Sequence, residues 1–168
     1  PPSTLIYTVF QNAGHSSNAG IELVKQANFS KVFSLNTNIN IYQNTIDSFT
    51  VLNKYPVPST YSASKQQFTS GNIKVNAVFH FPKQTDFQIT SIYLAPDIIP
   101  QGKINCRFSI DMGVKKQIQK GKGELFLNAS DILNTLNTKR EIIGNGFTLN
   151  STDYNETQVF RFGYSYKF

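Results

Sequence analysis

The side chains of this chain that could do chemistry are few and far apart. There is one cysteine, Cys106, and there are two histidines, His15 and His80. Nucleophilic catalysis needs a hydroxyl or thiol beside a base that a third group orients. Ser, His and Asp all occur, but no segment has the strand-to-helix turn that exposes a nucleophile. Neither histidine has a cysteine or carboxylate at metal-ligand spacing. His15 falls in a predicted loop and His80 on a predicted polar face, where solvated rings are expected. Gly121-Lys122-Gly123 is too short to cradle a phosphate, and its neighbours make it a hairpin turn. Cys106 falls among apolar residues on a predicted strand, where a small buried or lipid-facing hydrophobe is expected. A single cysteine also excludes an intrachain disulfide framework. The triplets beginning at Asn28, Asn128, Asn150 and Asn155 match a glycosylation acceptor by chance in an Asn-rich chain. The expectation is a protein that is not an enzyme, with no catalytic residues, no metal and no cofactor.

What remains is binding chemistry spread along alternating positions. Asn36, Asn38, Asn40, Lys74, Asn76, Arg107, Asp111, Lys115 and Arg161 fall at alternate positions of strand-like segments. A row of amides and charges at every second residue is the pattern of a wetted inner wall. The chain of 168 residues carries a net charge of +6 and has a pI near 9.4. The cations are dispersed rather than gathered on one segment, which argues against nucleic-acid binding.

The elements that must position these residues are strands. Side chains of a strand point alternately to its two faces. In Val159–Phe168 the residues Phe160, Phe162, Tyr164, Tyr166 and Phe168 share one face, and Arg161, Gly163, Ser165 and Lys167 share the other. Lys103–Lys116 alternates as cleanly, and so do Phe33–Tyr42 and Ile73–Phe81. Weaker patterns cover Thr4–Gln11, Gly20–Phe29, Thr85–Leu94 and Gly123–Asn134. Several of these run to about ten residues, what a tilted strand needs to cross a bilayer. The length suits about one domain, 1–168. No stretch reaches the roughly 18 apolar residues of a membrane helix, which says nothing against a barrel.

Connections of two kinds alternate down the chain. Short ones fall at Phe29-Ser30-Lys31, Pro82-Lys83-Gln84 and Lys120-Gly121-Lys122. Long ones span Asn12–Ala19, Thr45–Gly71, Ala95–Gly102 and Thr135–Thr157. Outer-membrane barrels sort their loops this way, with short periplasmic turns and long extracellular loops. Phe29, Phe33, Phe81, Phe87 and Phe168 gather near the short turns, and Tyr42 and Tyr93 near the long loops, as interfacial girdles do. Lys25 alone breaks the apolar face of its strand. A bulge could reset the register there, or the residue could snorkel at an interface. The predicted fold is all-β, an antiparallel up-and-down transmembrane β-barrel.

The segment Asn128-Ala129-Ser130-Asp131-Ile132-Leu133-Asn134 resembles the penultimate-strand motif of TonB-dependent outer-membrane receptors. Tyr154–Phe168 looks like their closing strand. Gly20-Ile21-Glu22-Leu23 followed by Phe33-Ser34-Leu35-Asn36 is similar to an earlier hairpin in the outer-membrane barrel branch common in Bacteroidetes. The resemblance implies a barrel of about 22 strands with a plugged lumen. About eight strands, seen here without a plug domain, would then be the last third of such a wall. The chain is accordingly expected to be the C-terminal part of a longer polypeptide in the bacterial outer membrane.

The resemblance implies energy-coupled uptake of a scarce nutrient, such as a metal chelate, cobalamin or an oligosaccharide. It also implies contact with the TonB complex through a missing N-terminal region, and with outer-membrane lipid. Phe160, Phe162, Tyr164, Tyr166 and Phe168 would be the signal read by the barrel-assembly machinery. A surface lipoprotein is a further candidate partner. The alternatives are a structural or protein-interaction barrel that anchors a surface complex, and a self-contained barrel of about eight strands.

Overall fold

The structure is a computed structural model that describes residues 9–54 and 57–168. It is all-β, with thirteen strands in antiparallel sheets. The largest sheet has seven strands, in the order β1 (Ser16–Asn28), β2 (Phe33–Ile46), β5 (Gln66–Phe81), β6 (Thr85–Leu94), β9 (Arg107–Ile118), β10 (Gly123–Ser130) and β13 (Val159–Tyr166). Each strand lies beside its predecessor in the sheet, the up-and-down order expected from the sequence.

One face of this sheet is predominantly apolar, because the register aligns like with like. Ile21 opposes Ile41 and Leu23 opposes Ile39. Ile39 opposes Ile73 and Phe33 opposes Phe79. Phe87 opposes Val114 and Ile89 opposes Met112. At the far side Leu127 opposes Phe162 and Ala129 opposes Phe160. Among the described residues the only buried apolar side chains are Ile46 and Phe49, 7% and 9% exposed, whereas Phe162 is 74% exposed. A water-soluble protein does not leave so large an apolar face bare. Lipid covers such a face in a barrel.

Several strand bounds differ from those expected. The segment Thr4–Gln11 falls mostly outside the described residues, and Val9–Gln11 form no strand. Lys103–Lys116 is not one strand. The strand is interrupted at Asn105-Cys106, between β8 (Gly102–Ile104) and β9, so Cys106 is exposed at a junction rather than buried on a strand. Gly123–Asn134 ends at Ser130, and Val159–Phe168 at Tyr166. The long connections contain strands of their own. The connection between β2 and β5 holds the hairpin β3 (Phe49–Asn53) and β4 (Ser59–Ala63). Those after β6 and β10 share a second sheet, ordered β12 (Phe147–Tyr154), β11 (Asn137–Gly144), β8, β7 (Asp97–Ile99).

The register of β1 on β2 runs without interruption from Ser16↔Ile46 to Asn28↔Ser34. No bulge resets Lys25. It stands on the apolar face opposite Thr37, three residues before β1 ends.

Candidate functional site

The polar face of the seven-stranded sheet gathers all nine residues that alternation singled out. Asn36 opposes Asn76, Asn38 opposes Lys74 and Asn40 opposes Asn72. Asn76 opposes Thr90, Thr90 opposes Asp111, and Leu94 opposes Arg107. Asp86 opposes Lys115, and Arg161 opposes Asn128. Strand alternation therefore puts these side chains on one surface, although up to 125 positions separate Asn36 from Arg161 in sequence.

The two sides of this wall differ in chemistry. Across β1, β2 and β5 it is made of amides. Asn38 Nδ2 donates to Glu22 Oε1, and Thr90 Oγ1 donates to Asn76 Oδ1 at 3.1 Å. Across β6, β9 and β10 it is ionic. Lys115 Nζ lies 3.9 Å from Asp86 and 3.7 Å from Glu124. His80 Nδ1 lies 2.8 Å from Asp86 Oδ1, and the ring is exposed on the polar face, as expected of it. These groups edge a trough of about 460 Å³ that Gly113, Phe126 and Asn128 also line. A Cβ on Gly163 would lie 2.2 Å from the Phe126 ring. Only glycine there lets the ring lie flat across β13.

Two carboxylates fix the long connections to the wall, and the sequence did not single out either as an anchor. Asp97 in β7 crosses to β2. Tyr42 Oη donates to it at 2.8 Å and Asn44 Nδ2 at 2.9 Å. Its own Oδ1 accepts the Ile98 amide at 2.8 Å. Tyr42 is thus on the polar face and holds a loop, which corrects its expected place in an outward aromatic girdle. Its even position among Asn36, Asn38 and Asn40 was the available signal. Tyr93 does stand on the apolar face, opposite Ile73.

Asp131 is 1% exposed at the foot of the long β10–β13 connection. Its carboxylate accepts the amides of Thr135 and Leu136, both at 3.0 Å, and the Thr157 hydroxyl at 2.6 Å. Its own amide donates to Asp111 Oδ1 at 2.8 Å. Burial alone would raise the Asp131 pKa, but these donors outweigh it and hold the carboxyl below its ordinary 3.8. Asp131 and Asn134 adopt positive φ, 42° and 53°. Tyr154 Oη closes the turn on Asn134 Oδ1 at 2.8 Å. The Asp and Asn of the Asn128–Asn134 motif are therefore the two ends of one knot.

The terminal aromatic residues lie on the opposite, apolar face. Phe160, Phe162, Tyr164 and Tyr166 are exposed along β13. Phe168 follows the strand, its ring 5.4 Å from that of Tyr166.

A family model described as "Outer membrane protein beta-barrel family" matches residues 2–166. Comparison with curated proteins gives no match, and comparison with solved structures gives none.

Proposed function

Since the chain belongs to the outer membrane protein β-barrel family, we propose that its polar wall lines a passage for energy-coupled uptake of a nutrient, as part of a TonB-dependent receptor. The observation that carries this reading is the wall itself. Seven strands present a row of amides and of acids and cations in equal number behind a predominantly apolar face. Such a surface offers many weak hydrogen bonds and no strongly held charge, so a solute can bind without being trapped. The long connections fold over one end of this wall through Asp97 and would face the cell exterior, with the short turns in the periplasm. No step of the proposal is catalytic.

A strain lacking the full-length protein tests the reading under limitation by a metal chelate, cobalamin or an oligosaccharide. Loss of uptake of one class, reproduced by deleting TonB, is the expected result. Uptake of all three that is unaffected by either deletion would overturn it.

The second sheet favours one rival. Its four strands build an ordered outcrop from two connections, which suits a barrel that anchors a surface partner. An intact mass several times 18.9 kDa with a plug domain upstream favours the transporter, and a plugless chain favours the anchor.

The terminal aromatic face is assigned the assembly role in either case. Deleting Phe168 is expected to lower the amount of folded protein in the outer membrane, read by surface labelling.

A further inference from the structure

The net charge of +6 does not belong to the molecule as a whole. It comes from one end. Of the sixteen lysines and arginines and ten acids, the long connections hold five cations and six acids, and the polar wall holds four of each. The remaining seven cations sit at the short-turn end, where the nearest acids, Asp86 and Glu124, open β6 and β10 on the polar face. Lys31, Lys83, Lys120 and Lys122 are in the short turns, and Lys167 follows β13.

Lys25 and Lys116 complete the set, and their position decides what the set is for. Both are exposed on the apolar face, where Lys25 opposes Thr37 and Lys116 opposes Thr85. Lys25 is three residues and Lys116 two residues from the end of its strand. At about 3.4 Å per residue along a tilted strand, their four-carbon stems reach the level of the turns.

The same level carries a stacked belt of rings. Phe29 lies 5.5 Å from Phe33, Phe33 4.9 Å from Phe79, and Phe79 6.1 Å from Phe87. Aromatic side chains of this kind mark the headgroup boundary of a bilayer. The nearest carboxylates, Asp86 and Glu124, lie on the other face and are already engaged by Lys115. Lys83 and Lys120 also occupy left-handed backbone, φ 63° and 57°, where glycine or asparagine would be cheaper.

We propose that this lysine collar binds the anionic headgroups of phospholipids in the leaflet that the short turns enter. The inference rests on the sheet spanning a membrane and does not depend on what, if anything, is transported. Ammonium groups at headgroup depth would each attract a phosphate. The aromatic belt fixes the depth, and the neutral wall leaves the collar's field uncompensated. A soluble acidic protein would engage the turns but has no use for Lys25 and Lys116 on the lipid-facing side.

The full-length protein, inserted in phosphatidylcholine vesicles, tests this with spin-labelled phosphatidylglycerol and phosphatidylcholine in the boundary shell. The expected preference for phosphatidylglycerol is on the order of five-fold at low salt, declining as salt is raised. It should fall toward unity in a variant combining Lys31→Gln, Lys83→Gln, Lys120→Gln and Lys122→Gln. It should persist with Lys54→Gln and Lys65→Gln in the long connection. If the fourfold variant does not insert, Lys83→Gln and Lys120→Gln alone are each expected to lower the preference. Insertion without any preference would overturn the lipid assignment and leave the collar to an acidic protein. A preference untouched by the turn substitutions would overturn it equally. Failure of the unmodified protein to insert in any vesicle would overturn the spanning reading, and this inference with it.

Discussion

The two ends of the seven-stranded sheet are closed by different means. At the short-turn end, each reversal is satisfied within a few residues. Ser30 Oγ accepts the amides of Val32 and Phe33 at 3.1 and 3.0 Å, and the Lys122 amide reaches Gln119 O at 3.3 Å. At the long-loop end, order comes from carboxylates that collect donors from far along the chain. Asp131 takes Thr157, 26 residues on, and Asp97 takes Tyr42, 55 residues back. A short turn needs only the right backbone dihedrals. A long connection loses more entropy on closing, and few apolar contacts are present to offset it. Its order therefore depends on a small number of satisfied polar anchors, and each anchor carries more.

Removing Asp131 should break the comparison most severely. Asp131→Ala strips two amides and a hydroxyl of their acceptor in a buried site, at a cost of about 2–4 kcal/mol. Hydrogen exchange is expected to accelerate across 132–158 while β9 stays protected. Equal acceleration in both would mean that the knot holds the wall rather than the loop. Asp97→Ala should come next, at about 1–3 kcal/mol, with limited proteolysis appearing within 95–104 and the β2–β5 pairing retained.

Acid should act on the same end. The folded Asp131 carboxyl is more acidic than the free one, so near pH 4 the opened loop binds more protons than the closed loop. Its contribution is complete above its ordinary pKa of 3.8 and is lost as pH falls through the lower folded value. Exchange in 132–158 should rise over that window, and Asp131→Asn should flatten the dependence. The smallest effect belongs to the other end. Ser30→Ala should shift the urea midpoint by the equivalent of about 0.5–1.5 kcal/mol without opening either long connection.

How much of this was legible depended on whether one face of a strand was apolar. Within β9 and β13 and the apolar stretches of β2 and β5 alternation was strict, so the strands, their faces and the nine polar-wall positions could be read directly. The ends of β2 and β5 could not. Gln43, Asn44 and Thr45, and Gln66, Gln67 and Thr69 are polar on both faces, so no hydrophobic period marks them as strand. β3, β11 and β12 carry apolar residues, among them Phe49 and Val51, Ile142 and Ile143, and Phe147 and Leu149, but in strands of only five to eight residues. The opposite failure occurred at Asn105-Cys106. Apolar alternation continues through that dipeptide although the strand is interrupted, because a period records side-chain character and not hydrogen bonding. Asp131 was visible as part of a family-like motif. Its burial was not, since the Thr157 hydroxyl that helps to satisfy it comes from the far side of β11 and β12.

The interruption between β8 and β9 has a practical consequence. It leaves the single thiol of these 168 residues exposed, at the seam where the outcrop meets the wall. A membrane-impermeant maleimide applied to intact cells would tag Cys106 if the long connections face outward and spare it if they face the periplasm.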